Sequence, residues 1–244
     1  MNLLADAFAW IFSPDRLTGS SPLPAAIGLH LFYTFLAVII ASLIAIPLGF
    51  YIGHSGRGRN LAVGISGAAR AIPSFGLILL LVLVIGVTQK PLAATIAFVL
   101  LGIPSILAGA YAGLEAIDRR VIDAARAVGM TEWQILTKVE IPLGLPLLIG
   151  GLRAGALQIV ATVVLAAYVT LGGIGTYIIL GIATRQYDAI LGAALVIVAV
   201  ALVLDGLFAL VQHIVVPRGV TAGRPKELRT TSSRRRTVVE TPTV

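Results

Sequence analysis

The chain has no cysteine, which excludes a disulfide scaffold, a thiol nucleophile, an iron–sulfur cluster and a cysteine-ligated zinc site. Charge is scarce too: 12% of the 244 residues are charged, against about 25% in a typical soluble domain. A water-facing surface takes roughly 25–35% charged side chains. Eighteen basic and eleven acidic residues cannot supply it, so an ordinary soluble enzyme is excluded. The 58% hydrophobic content excludes disorder over most of the length. No Gly-Lys pair occurs, so the phosphate-cradling pattern G-x-x-x-x-G-K-[ST] is missing and the chain is not expected to hydrolyse ATP. His30, His54 and His213 fit no H-E-x-x-H spacing, and no G-x-S-x-G is present. Asp118 and Asp123 fall on different helix faces, a poor arrangement for joint metal binding or acid–base work. No catalytic residue, metal or cofactor is therefore assigned, and no nucleic-acid partner is expected. What is left is an all-α polytopic membrane protein.

A membrane-spanning helix needs about 20 mainly apolar residues. No charge occurs from Leu17 to Gly56, and a first span is placed at 25–52. The basic turn HSGRGRN follows, with Arg57 and Arg59. The run 61–88, interrupted by Arg70 and Pro73, is taken as one kinked span. Gln89-Lys90-Pro91 is a tight connection to a third span at 92–114. Residues 115–142 then carry nine charges. A fourth span covers 143–170, a glycine-rich stretch 171–187, and a fifth span 189–215. Five spans put the ends on opposite sides. Lys and Arg number thirteen in the turn, the 115–142 segment and the tail, against three at Arg16, Lys90 and Arg185. The positive-inside rule then places the N-terminus outside and the 115–142 loop and C-terminus in the cytoplasm.

Three regions follow. Residues 1–24 are external or interfacial; they are too acidic for a cleaved signal, and Leu3, Leu4, Phe8, Ala9, Trp10 and Phe12 are expected on one face of an interfacial helix. Residues 25–215 form the transmembrane domain. Residues 216–244, with Arg234-Arg235-Arg236, form a basic tail expected to be disordered and to fix topology or touch anionic lipid.

Within the polar segment, residues up to Val128 favour a helix with Ile117, Val121, Ala124, Ala125 and Val128 on about one face. Gly129 ends or bends it. Thr131-x-x-Gln134 is a capping box that opens a second helix carrying Trp133, Leu136 and Val139. Pro142 suits the start of the next span. A helix–glycine–helix of this kind either docks into a partner's cleft or rests on lipid, and physics alone favours neither.

Asp123-Ala124-Ala125, three residues, Gly129, nine residues, then Val139-Glu140-Ile141-Pro142 resembles the cytoplasmic-loop pattern of permease subunits in binding-protein-dependent ABC importers. That pattern is E-A-A, three residues, G, nine residues, I-x-L-P. The departures are Asp for Glu, Val for Ile and Ile for Leu. The resemblance implies a type I importer domain in a cell (inner or plasma) membrane, with the 115–142 loop as the coupling helix that inserts into a separate ATPase subunit. Asp123 would then make a polar contact, and Ala124, Ala125 and Gly129 would allow close packing. ATP and Mg would bind that partner. The partners it implies are the ATPase, a second permease subunit (a copy or a related chain) and an extracytoplasmic substrate-binding protein. Ala71-Ile72-Pro73-Ser74, the stretch Asp123 to Arg153, and Leu171-Gly172-Gly173-Ile174-Gly175 resemble permeases for glycine betaine, proline, carnitine or choline. Ile72, Pro73, Ser74, Tyr168, Gly172 and Gly173 are the translocation-path candidates. Uptake of another small polar solute such as an amino acid is the alternative, and secondary transport a more distant one.

Charges inside spans are costly and usually pair or line a path. Arg153 and Asp205 each lie about ten residues from the cytoplasmic end of their spans, roughly 15 Å deep at ~1.5 Å per residue. They are expected to pair, chiefly to lock two helices together, with gating or direct solute contact as the alternatives and Arg70 as the competing partner. Gly49-x-x-x-Gly53, Gly109-x-x-x-Gly113 and Gly151-x-x-x-Gly155 have the spacing of close helix contacts. The segment from Gly172 is expected to bend or re-enter, since Tyr177 to Thr184 is apolar but short. Tyr168, Tyr177 and Tyr187 are expected near the outer mouth, chiefly as interfacial anchors.

Overall fold

A computed structural model describes residues 2–215, and the basic tail of 216–244 lies outside the described residues. Among the described residues, four helices are long and apolar enough to cross a membrane. They fall in α3 (Leu23–Ser55), α6 (Lys90–Glu115), α9 (Ile141–Val163) and α11 (Tyr187–Val215). Shorter elements connect them: α1 (Leu3–Ile11), α2 (Pro14–Thr18), α4 (Arg59–Ala71), α5 (Ser74–Ile85), α7 (Arg119–Ala127), α8 (Glu132–Ile135) and α10 (Gly175–Thr184).

The core is α6 sandwiched between α3 and α9. In lipid no hydrophobic force draws one apolar helix to another, so close packing must do so, and small residues permit it. All three glycine pairs lie at these contacts. A Cβ on Gly49 would sit 2.4 Å from Ala110 Cβ, and one on Gly53 2.8 Å from Leu114 Cβ, both on α6. A Cβ on Gly109 would sit 2.6 Å from Gly151 Cα, and one on Gly113 2.7 Å from the Gly144 carbonyl oxygen, both on α9. A Cβ on Gly155 would strike Ile106 at 2.6 Å. Ala37, Ala41 and Ala45 line the same side of α3 at helical spacing and are fully buried.

The kinked span expected over 61–88 is instead two helices, α4 and α5, meeting at 91°. Pro73 has no N–H for the ladder and its ring would clash with a carbonyl one turn back. It also drives Ile72 out of the helical region, to φ −72°, ψ 126°. Pro73 is itself extended, at ψ 118°. Two extended residues in a row turn the chain instead of kinking it. Counting this pair as one crossing gives five, otherwise four.

The fourth apolar helix starts earlier than expected. Helical backbone runs without a break from Glu132 to Val169, so the second helix of the polar segment and the next span are one rod. A π turn at Leu136–Glu140 joins them, with the Ile141 N–H reaching back to the Leu136 carbonyl. Pro142 cannot donate to Lys138, and the wider turn accommodates its ring.

Helix α1 has no single apolar face. Ala7, Trp10 and Ile11 pack inward against α10 and α11, while Leu4, Phe8 and Phe12 point outward. Gly192 of α11 makes room: a Cβ there would sit 2.5 Å from the Trp10 ring. The 171–187 stretch turns through Gly172 and Gly173, at φ +83° and +81°, into the ten-residue α10. That helix is too short to cross a bilayer.

Candidate functional site

The polar segment folds as a compact helical hairpin at one end of the bundle. Asp118 caps α7 by accepting from the Arg120 N–H at 3.0 Å. The C-terminus closes through Gly129, at φ +84°. The Gly129 N–H reaches the Arg126 carbonyl at 2.9 Å and the Met130 N–H the Ala125 carbonyl at 3.1 Å. This paired closure needs a left-handed residue, which glycine adopts freely. Thr131 then opens α8 by the reciprocal cap. Its hydroxyl accepts from the Gln134 N–H at 3.3 Å, and its own N–H donates to Gln134 Oε1 at 3.0 Å.

Two contacts hold the hairpin shut. Ile122, Ala125 and Ile135 are buried together, with Ile117, Met130 and Val139 around them. Across the bend, Arg126 grips Glu132 with two parallel bonds of 2.9 and 3.1 Å. That hydrogen-bonded guanidinium holds the Glu132 carboxyl below its ordinary value.

The buried face differs from the expected one. Ile122 takes the inner position, while Val121 and Ala124 are exposed and Val128 is 78% exposed. Ala125 packs inside the hairpin and is not available to a partner; Asp123, Ala124 and Gly129 are. Trp133 joins them at 71% exposure. The hairpin thus presents Val121, Val128 and Trp133 outward, apolar side chains that the described residues leave uncovered. Val139, Ile141 and Pro142 are half-buried where the rod leaves the hairpin.

Below the hairpin, Glu140 is buried, and His54 from the end of α3 bonds its carboxylate at 2.6 Å. Sequence reading missed this contact: 86 positions separate the two residues and no spacing rule links them. Nearby, Arg59 meets Glu115 at 3.4 Å.

Farther along the rod, Arg153 forks onto Asp205 of α11 through Nε and Nη2. Arg70 is exposed on α4 and makes no ion pair among the described residues, so it does not compete for Asp205. The path candidates separate into two groups. Ile72 and Pro73 are exposed at the α4–α5 break, beside Ser74. The adjacent Phe75 packs against Tyr168 with the two rings tilted and their centroids 4.7 Å apart. Gly172 and Gly173 instead lie against Leu29 and His30 of α3, and Gly173 is buried. The three tyrosines differ in setting. Tyr177 is buried edge-on against Trp10 at 5.2 Å and donates to the Ser21 carbonyl, while Tyr187 is exposed.

Comparison with known proteins agrees with this architecture. Residues 45–219 match the family described as binding-protein-dependent transport system inner membrane component. The osmoprotectant import permease protein OsmW of Salmonella typhimurium is 34% identical, over 78% of this chain and 90% of that protein. The glycine betaine/carnitine/choline transport system permease protein OpuCB of Bacillus subtilis is 27% identical, over 79% of this chain and 88% of that one. Among solved structures, the inward-facing MetNI methionine ABC transporter superposes with a TM-score of 0.67 at 20% identity. That match covers 80% of this chain and 96% of the transporter chain. At that identity the likeness speaks to fold alone. The family match spans most of the chain, and the chain accordingly belongs to the binding-protein-dependent inner membrane components, the permease subunits of ABC importers.

Proposed function

We propose that this permease subunit carries a compatible solute (glycine betaine, choline, carnitine or proline) inward, driven by ATP hydrolysed in a separate subunit. The observation that carries the mechanism is the hairpin of α7 and α8. It is braced by Arg126–Glu132 and offers Val121, Val128 and Trp133 outward, and its second helix is continuous with α9. A displacement imposed on such a hairpin enters the membrane along a rod instead of dissipating in a loop. In this reading 115–142 faces the cytoplasm and the N-terminus lies outside. Solute arrives from an extracytoplasmic binding protein, and a second permease subunit completes the cavity. The exposed break at Ile72–Pro73–Ser74, with Tyr168 beside it, borders the path. The pair Arg153–Asp205 locks α9 to α11. The names of OsmW and OpuCB support the solute class.

Two measurements test this. Cells with and without the chain are compared for uptake of labelled glycine betaine, choline, carnitine and proline at low and high osmolarity. Loss of at least one on deletion is expected. Unchanged uptake of all four sinks the solute class and points to amino acids or other small polar solutes. Separately, Val128→Asp puts a charge on the outward face without touching the hairpin core. Its cost in fold stability should be within about 0.5 kcal/mol, while the ATPase subunit is lost on co-purification. Full retention of that subunit would show that the outward face is not the docking surface.

A further inference from the structure

The end of α3 and the start of α4 together reach both ends of the hairpin segment. Arg59 Nε stands 3.4 Å from Glu115 Oε2, where α6 ends and the segment begins. His54, in the last turn of α3, stands between two carboxylates at the other end. Its Nδ1 is 2.6 Å from Glu140 Oε2 and its Nε2 is 3.5 Å from Glu132 Oε2. These carboxylates differ in environment: the Glu140 side chain is 4% exposed and that of Glu132 56%. A buried carboxylate is costly unless something pairs with it. Among the described residues, His54 is the one Lys, Arg or His side chain within 4.0 Å of the Glu140 carboxyl. Glu132 in turn takes the Arg126 fork. A line of polar contacts therefore runs from α3 through His54 to the rod, before the π turn at Glu132 and at its last residue Glu140, and across the bend to α7.

Covalent continuity makes this arrangement matter. Helix α6 leads into the hairpin and α9 leads out of it, so both follow any movement of it. Helix α3 has no such continuity, and His54 is where its end meets the element. We infer that His54 is a positioning residue that ties α3 to the hairpin, so that a displacement of α7 and α8 moves α3 together with α9. The inference rests on the ATPase docking at the hairpin and goes further by naming the route to α3.

The test uses the complete importer reconstituted in vesicles: this chain with its permease partner, ATPase and binding protein. Uptake and ATP hydrolysis are read together. His54→Ala should keep the ATPase subunit and its hydrolysis, while solute moved per ATP falls about tenfold, a typical coupling free energy. His54→Gln, which can still hydrogen-bond Glu140, should hold most of the ratio. Because the chain has no cysteine, His54→Cys with Glu140→Cys introduces its only two thiols. That pair should behave like His54→Ala until a short bifunctional thiol reagent joins the two positions, and should then recover. An unchanged uptake-to-hydrolysis ratio in His54→Ala overturns the tie. So does failure of the joined pair to recover in a complex that still hydrolyses ATP. If the unaltered chain retains no ATPase, the docking reading falls and takes the tie with it. If the ATPase stays and His54→Ala is indifferent, only the tie falls.

Discussion

Arg153 and Asp205 show what a single charge costs where water cannot replace a lost partner. Each is the lone acid or base in the middle of an apolar helix, and the fork between them satisfies both. Replacing one by alanine leaves the other without its partner in an apolar helix, where an unpaired charge is costly. Arg153→Ala and Asp205→Ala should each lower the yield of folded protein and its thermal midpoint in detergent. The double exchange, Arg153→Asp with Asp205→Arg, should regain most of both. A double exchange no better than the singles would mean that the pair is not what those helices need. The Arg126–Glu132 fork is a different case, because it is exposed. With the Glu132 carboxyl held below its ordinary value, the pair's contribution is complete above the unfolded value. It disappears only as pH falls through the lower folded one. This fork therefore adds no pH dependence near neutrality.

Among the elements, α6 makes the tightest demands, because glycine backbones meet there without side chains between them. At Gly109 an added Cβ would sit 2.6 Å from Gly151 Cα, and neither backbone can give way cheaply. Gly109→Ala should cost about 1–3 kcal/mol as overpacking. Gly150, one position from Gly151, has nothing within 4 Å of a built Cβ. Gly150→Ala should therefore gain up to about 1 kcal/mol of helix propensity. Thermal midpoints of the two variants in one detergent decide the matter. Equal behaviour would mean that α6 and α9 do not approach as described. The π turn belongs to this scale too. It lets the rod pass Pro142 without breaking, and it sets the rotation of the hairpin relative to α9.

For the whole molecule the open quantity is direction across the membrane. Basic residues concentrate in the turn at 54–59, the segment 115–142 and the tail, whereas apart from Arg70 and Arg153, which lie within apolar stretches, only Arg16, Lys90 and Arg185 fall elsewhere. Single cysteines, introduced at Ser20 and at Ser55 in the cysteine-free chain, should label oppositely in intact cells. An impermeant thiol reagent should reach the first and not the second. The reverse pattern would invert the orientation, and labelling of both would mean that α3 does not cross.

The four long apolar helices, the glycine bend and the capping box are legible in the sequence because each depends on residues within a turn or two of one another. Composition sets the solvent as lipid, glycine spacing marks the faces that approach, and two lone opposite charges in apolar helices have few ways to be satisfied other than by each other. Contacts between distant positions are decided elsewhere. His54 meets Glu140 only because α6 brings the end of α3 against the start of the rod. Ile122 displaces Val121 from the hairpin interior because Ile135 packs on that side. Trp10 is drawn inward by the space above Gly192. The right angle at Pro73 also needs the surrounding bundle, since proline forbids the helix locally but does not say where the next helix points. Local backbone chemistry is written in neighbouring residues, whereas the partner of a buried group depends on which surfaces the packed helices bring together.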